Sequence, residues 1–591
     1  MPSFAAQQSL FRAYDIRGSR QHFTNDFIQA LGHAFAHLYQ AQPNIDSKKH
    51  SAKNSKINSD NDRQSTNEKT IVVIGYDVRC DSNTIAQVLA HILSQQGIQV
   101  IQLGLVTTPM MIFWAEQYQG HGIIVTASHS AKDILGVKWL VNHISPSSAD
   151  IQALYHQLGI DNAQNPSLDS IAKPIYHKQQ QLPTKQVASA YSDAITKVFK
   201  QIYQHNNQPL NQTAEDSQLP SSKLDLVVVI DCMHGATSNI AEPLFANFCQ
   251  QVITLNDTPD GDFPAGNPDP TEPQRLKQLQ QSVLLHQADI GIAFDGDGDR
   301  LMVVDNRGKV VTPDHLLYLL ATVAVNQRPQ PLNESLSNAQ VLFDIKCCHH
   351  LPKLITELGA TPVISKTGSS LMRQQIQQSG GQIIFAGELS GHFIFNDSYF
   401  ILYDDAMYAA LRLLHWLAKP LPAKPNCARN LADIIDNLPV IVSTADHYLP
   451  LPATALTDCS IVQQLARFCQ YLQQLVHVTS AAAFITQPDP QAIISCAPLL
   501  CTCSAKNQYI TLEQAQKLLP LGTKLSCIDG VRLDFARGFG VLRQSNTSQN
   551  LTVRFAGDSI ADLTDIQTRF AALCRPFNEH LATQILAIVA E

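Results

Sequence analysis

Asp289-Ile290-Gly291-Ile292-Ala293-Phe294-Asp295-Gly296-Asp297-Gly298-Asp299-Arg300 is a short apolar run that stops at three carboxylates spaced two apart, followed by an arginine. It predicts a buried strand delivering a metal-binding loop. The glycines let the backbone turn tightly, so Asp295, Asp297 and Asp299 can converge on one hard cation while leaving positions open for a phosphate oxygen. A calcium loop also begins D-x-D-x-D, but it requires Gly at its sixth position and Glu at its twelfth. Arg300 and Asn306 stand there instead, so the calcium reading fails.

Working outward, the strand belongs to an internal repeat. The first copy runs from a strand at Thr70–Ile74, through a helix at Thr84–Gln95 and a strand at Gln99–Leu103, to Gly122–Val125 and the loop Thr126-Ala127-Ser128-His129-Ser130. The second has strands at Leu226–Ile230 and Gln251–Leu255, a helix at Asn239–Cys249, and then the aspartate loop. The third has a strand at Val341–Phe343, Asp344-Ile345-Lys346, a helix at Leu351–Leu358 and a strand at Pro362–Ser365. It ends with Gln382–Phe385 and Gly387-Glu388-Leu389-Ser390-Gly391-His392. Alternating strands and helices predict mostly parallel sheets covered on both faces, with ligands at the carboxyl ends of the strands. Three α/β domains would thus present three loops to one central cleft.

From Leu438 onward the pattern changes to strand-like segments, among them Gly540–Thr547 and the alternating Leu551–Phe555, with a final helical segment over 561–590. This predicts a smaller α+β domain, helices on an antiparallel sheet. Its Arg543-x-Ser545-Asn546-Thr547 loop carries the inventory for holding a phosphate dianion. The expected divisions are 1–175, 176–308, 309–436 and 437–591, in keeping with roughly 150 residues per domain. Polar insertions are expected at 42–69 and 204–222, connectors at 329–338 and 419–426; 459–507 holds a helix-like piece and an apolar, cysteine-rich segment without an assigned place.

Composition narrows the classes. A net charge of −8 without a basic block argues against nucleic acid, and no apolar run reaches the roughly 18 residues of a membrane span. No signal pattern opens the chain, so a cytoplasmic protein is expected. Its thirteen cysteines lack zinc-like spacing and read mostly as buried thiols. Ser128 lies outside any G-x-S-x-G context, which argues against acyl transfer. Beside a carboxylate-bound Mg²⁺ it points instead to phosphoryl transfer, with Arg17 and Lys138 as phosphate or proton-transfer groups and His392 as a titrating one.

These residues carry a resemblance. Tyr14-Asp-Ile-Arg-Gly18, Thr126-Ala-Ser-His129, Asp260-Gly-Asp-Phe-Pro264 with Asn267-Pro-Asp-Pro270, the aspartate loop, Asp344-Ile-Lys346, Lys366-Thr-Gly368, Gly387–His392, Asp529-Gly-Val-Arg532 and Arg543-x-Ser-Asn-Thr547 occur in this order. The chain resembles the α-D-phosphohexomutases, most of all the bacterial phosphomannomutase/phosphoglucomutase branch. The resemblance implies a phosphoserine at Ser128, with one Mg²⁺ held by Asp295, Asp297, Asp299 and an oxygen on Ser128. It implies transfer of phosphate between C1 and C6 of a hexose through a bisphosphorylated sugar, which also serves as activator. Arg17, Lys138 and His392 would serve the reacting phosphoryl group and the general acid/base, and Tyr14, Arg300 and Lys346 would contact substrate. Glu388 and Ser390, with His392 beside them, would bind the sugar, and Arg543, Ser545, Asn546 and Thr547 the phosphate that is not reacting. A monomer acting on small sugar phosphates is expected. The alternatives are a phosphoglucosamine mutase, a Mg²⁺-dependent sugar phosphatase and an inactive sugar-phosphate-binding homologue. Ser130-Ala131 replaces the family's Asn-Pro, Leu135 its Asn, Tyr76 the middle of its Gly-Arg-Asp, and Ser369 a frequent histidine. Those changes predict a looser serine loop with altered hydrogen bonding.

Overall fold

The computed structural model describes residues 4–42, 69–164, 180–207, 223–328, 339–419, 429–449, 461–482, 489–495, 509–545, 550–575 and 579–589. Most of both expected insertions, the two connectors, Asn546 and Thr547 lie outside these. The chain divides into two compact units, Met1–Ala339 with Ser369–Asp436, and Gln340–Gly368 with Asn437–Glu591.

In the first unit, one sheet runs in the order Ile16–Ser19, Ile134–Leu140, Gly122–Val125, Ile71–Tyr76, Gln99–Leu105, Gln180–Gln181. Ile71–Tyr76 pairs in parallel with both of its neighbours, whereas Ile134–Leu140 is antiparallel to both of its own. The central parallel strands Gly122–Val125 and Ile71–Tyr76 are apolar and largely buried, as helices packed on either side require. A second sheet, Leu301–Asp305, Ile290–Phe294, Leu224–Asp231, Cys249–Leu255, repeats the design with one antiparallel edge. All five residues of Ile290–Phe294 are buried, so this strand fixes where the aspartate loop emerges. The strands of the third copy are Ile383–Gly387 with antiparallel Phe393–Phe395 in the first unit, and Gln340–Asp344 with parallel Thr361–Ser365 in the second. The chain thus has three α/β/α domains with mostly parallel sheets, followed by a C-terminal domain of helices and an antiparallel sheet.

That last sheet lies in the second unit and is antiparallel throughout: Val442–Ser443, Leu551–Gly557, Gly538–Gln544, Val531–Phe535, Lys524–Ser526. Helices Ile461–Ala482 and Ile560–Cys574 bury Phe468, Leu472 and Phe570 against Val531, Leu542 and Phe555 of the sheet in one core. Within 459–507 the helix-like piece is this first helix, the short strand Ile493–Ser495 follows it, and the rest of the cysteine-rich segment lies outside the described residues.

Two expectations need correction. The helix expected at Asn239–Cys249 is only Ala241–Phe245, because Asn239 adopts a left-handed φ of 62° and Cys249 already opens the next strand. The final helical segment is two helices, Ile560–Cys574 and Glu579–Leu586, with Pro576 between them in sequence. Five described cysteines are buried thiols, in keeping with the reading of most of them as such, while Cys469 and Cys527 form a disulfide. Among the described residues, no helix is long and apolar enough to cross a membrane.

Candidate active site

Ser128 follows the buried strand Gly122–Val125 and takes a left-handed φ of 51°. Its Oγ donates to Asp295 Oδ2 at 2.6 Å. The other Asp295 oxygen accepts the backbone N–H groups of Gly298, Asp299 and Arg300 at 3.0–3.1 Å. That carboxylate therefore folds its own loop as well as facing the serine. Close approach of the two loops demands glycine at 296, where a Cβ would stand 2.4 Å from the Ser128 carbonyl oxygen.

The serine loop is gripped from beneath by Arg79. Its guanidinium donates to the carbonyls of Ser128, Ser130 and Ala131, each at 2.6 Å, and of Ile134 at 3.2 Å, while Asp77 accepts from its Nε at 3.1 Å. The loosening expected from Ser130-Ala131 is opposed by these bonds, which are made to backbone and so do not depend on either side chain. Leu135 is buried in the first domain's core, opposite Gly18 on the neighbouring strand. Ser130 Oγ accepts from Arg17 at 3.3 Å, and Arg17 is also paired with Asp15 at 3.1 Å. Burial opposes the Arg17 charge, but Asp15, Asp297 and Asp299 outweigh it and raise its pKa.

Asp295, Asp297 and Asp299 are buried with ligand oxygens close enough to hold one ion. Burial and its two neighbours push the Asp295 carboxyl well above its usual range. Asp297 and Asp299 are instead held below theirs despite burial, because Lys138 Nζ sits 2.7 Å from an oxygen of each. Thr108 Oγ1 also donates to Asp297. Asp297 Oδ1 is buried and accepts no hydrogen bond from any described residue, and Asp299 Oδ1 is buried with His392 Nε2 3.4 Å away. Unsatisfied buried oxygens in an all-carboxylate set suit a hard cation such as Mg²⁺.

The third loop closes on the second. Leu301 N–H donates to Gly391 O at 2.9 Å, and His392 Nε2 lies 3.4 Å from Asp299 Oδ1 and 3.8 Å from Asp404 Oδ2. On its other side, His392 Nδ1 meets Ser390 Oγ at 2.8 Å and Glu388 Oε2 at 3.4 Å. Burial disfavours the imidazolium, yet Asp299 and Glu388 prevail and push His392 up to about 10. Arg300 lies 4.0 Å from both Asp295 and Asp269, and Asp269 in turn accepts from His129. Burial and Arg300 bring His129 down to about 4.

Thus Arg17, Ser128, Lys138, Asp295, Asp297, Asp299, Arg300, Glu388, Ser390 and His392 form one connected cluster within the first unit. Tyr14 is half-buried, three residues before Arg17. Lys346, Arg543 and Ser545 belong to the second unit. There Lys346 Nζ binds Asp446 at 2.6 Å, Arg543 Nε binds Asp529 at 2.8 Å, and the Ser545 N–H donates to Asn550 O at 2.8 Å.

Sequence reading missed Thr108, Arg373 and Asp404. Arg373 pairs with Asp404, donates to Ser369 Oγ at 3.3 Å and lies over the Tyr403 ring. The available signals were helix caps: Thr107 before Thr108-Pro109, and Asp405, after Asp404, before an apolar helix.

Residues 59–161, 208–308 and 312–439 match, in that order, family profiles described as phosphoglucomutase/phosphomannomutase, alpha/beta/alpha domains I, II and III. The chain is 30% identical over 568 residues to a phosphomannomutase/phosphoglucomutase of Pseudomonas syringae pv. tomato, covering 95% of this chain and 94% of that one. It is 28% identical to a phosphoglucomutase of Neisseria gonorrhoeae, covering 97% and 98%. A crystal structure of a phosphoglucomutase/phosphomannomutase family protein from Burkholderia thailandensis superposes with a TM-score of 0.68 at 25% identity, covering 99% of each chain.

Proposed function

The chain belongs to the phosphoglucomutase/phosphomannomutase family, and on that premise we propose that it interconverts hexose 1-phosphate and hexose 6-phosphate, using mannose and glucose alike. The observation that carries this reading is the hydrogen bond from Ser128 Oγ to Asp295, inside a cluster of three buried carboxylates and two cations. A phosphoryl group on Ser128 would lie beside the positive charges of Lys138 and Arg17. One Mg²⁺ bound by Asp295, Asp297, Asp299 and an oxygen on Ser128 supplies charge neutralisation to that group.

Ser128 passes its phosphoryl group to the free sugar hydroxyl; the P–Oγ bond breaks as the new P–O bond forms, and a bisphosphorylated sugar results. After this turns over in the cleft, its other phosphate returns to Ser128. Arg17, Lys138 and His392 orient the moving group and handle the hydroxyl proton. Glu388 and Ser390 hold sugar hydroxyls, Tyr14, Arg300 and Lys346 contact substrate, and Arg543, Ser545, Asn546 and Thr547 hold the distal phosphate. Because mannose and glucose differ only at C2, contacts made elsewhere accept both. On this reading the domains divide at 1–175, 176–308, 309–436 and 437–591, and the protein acts as a cytoplasmic monomer.

The test combines protein, Mg²⁺, mannose 1-phosphate and a trace of bisphosphorylated sugar, with glucose 1-phosphate run in parallel. Both 6-phosphates should appear, chelation should stop their formation, and Ser128→Ala should lower kcat by at least about a thousandfold. Release of inorganic phosphate in place of isomerisation would make the protein a phosphatase, and tight binding without turnover would make it a sugar-phosphate-binding protein.

A further inference from the structure

The segment that carries Lys346 continues as Cys347-Cys348-His349-His350, and its two imidazoles turn toward one carboxylate in the second unit. His349 Nε2 lies 2.9 Å and His350 Nε2 2.8 Å from the same atom, Oδ1 of Asp558. Their ring centroids are 4.0 Å apart, so both rings address that oxygen from neighbouring directions. Backbone structure fixes His350 and Asp558. His350 precedes the helix Leu351–Glu357, and Asp558 lies between the strand Leu551–Gly557 and Ser559, the cap of helix Ile560–Cys574. The Asp558 N–H is bound to Arg537 O at 3.0 Å.

We propose that His349, His350 and Asp558 form a second metal site, which takes a zinc-like divalent transition ion and shares no residue with the three-aspartate cluster. Two nitrogens and one oxygen are the donor set that favours Zn²⁺, Cu²⁺, Ni²⁺ or Co²⁺ and leaves Mg²⁺ to all-oxygen sites. Tetrahedral coordination with bonds of about 2.0 Å places ligand atoms roughly 3.3 Å apart, so the observed separations need open by only about half an ångström. Side-chain exposure rises from 8% at His349 to 22% at His350 and 37% at Asp558, giving the ion an entry path and a fourth position open to water. Phe539 packs beside His349 and supplies an apolar backing. A bound ion would tie the segment after Lys346 to the start of Ile560–Cys574.

The experiment uses the full chain, stripped of metal, saturated with Mg²⁺ and titrated with Co²⁺. One equivalent should bind with the visible absorption of cobalt held by nitrogen and oxygen, and Zn²⁺ should displace it. His350→Gln and Asp558→Asn should each weaken Co²⁺ binding by more than the roughly tenfold that loss of an outer-shell partner costs. Both variants should keep the wild-type unfolding midpoint without added metal; they are read separately, so misfolding of one leaves the other decisive. Undiminished Co²⁺ uptake by the folded variants would overturn the proposal. So would no uptake by the Mg²⁺-loaded wild type, a thiolate-to-cobalt charge-transfer band, or loss of the signal in Asp297→Asn alone.

Discussion

Lys138 is the cation on which two buried carboxylates depend, standing 2.7 Å from Asp297 Oδ2 and 2.7 Å from Asp299 Oδ2. Removing one partner of a buried ion pair leaves uncompensated charge and costs about 3–5 kcal/mol. Lys138→Met should therefore lower stability by about that amount in chelator, and Mg²⁺ should restore more of it than it adds to the wild type, because the ion then takes over the compensation. Urea unfolding midpoints in chelator and in Mg²⁺ measure both effects. Equal Mg²⁺ stabilisation of the two proteins would show that the aspartates are not where the ion binds. Arg79 works differently, since its planar fork meets four carbonyls at once and a lysine's point charge has no such geometry. It holds the serine loop by backbone alone, which is how Ser130 and Ala131 are accommodated there.

At the scale of elements, the helix Ala406–Leu417 is buried over its whole length and starts where Asp404 reaches His392. Near its end, His415 packs on Phe199, and burial together with Lys419 and Arg412 holds its pKa at about 4. An unfolded histidine titrates near 6.5, so between there and about pH 4 the unfolded chain takes up a proton that the folded one refuses. Stability from this group is full above about pH 6.5 and falls as the pH drops, by about 2 kcal/mol at pH ~5. His415→Leu should flatten the pH dependence by that amount; identical slopes for variant and wild type between about pH 7.5 and 5 would refute it. Elements such as Gly122–Val125 and Ile290–Phe294 were legible in the sequence, because a short apolar run that stops at a polar loop has few other uses. The motif loops that follow them were legible from their place in the repeat and from the ordered set of motifs that carries the resemblance. The contacts that hold those loops were not, even where the residue itself, Arg79, stood out beside Gly75-Tyr76-Asp77 as one the family retains. Arg79 reaches carbonyls about fifty positions on, and Thr108 meets Asp297 across 189 positions, so neither carries a local pattern. The shortened helix at Ala241–Phe245 was missed because a left-handed Asn239 leaves no mark on hydrophobic periodicity.

For the whole molecule, the chain order conceals how the second unit is assembled, since it joins Gln340–Gly368 to Asn437–Glu591. Within that unit Cys469, on the helix Ile461–Ala482, is bonded to Cys527, just past the strand Lys524–Ser526. The two are 58 positions apart, and closing a loop of that length removes enough unfolded-chain entropy to stabilise the fold by up to about 4 kcal/mol. The scattered spacing pointed to mostly buried thiols, and spacing carries no distance between side chains that are 58 positions apart. Cys527→Ser, or a reductant acting on the wild type, should lower the unfolding temperature of the second unit. Calorimetry of the full chain measures the shift. Alkylation of the denatured, unreduced protein should count fewer than the thirteen cysteines of the sequence as free thiols. Thirteen free thiols would mean that Cys469 and Cys527 remain reduced, and the core that includes Phe468 and Phe570 would then hold without the crosslink.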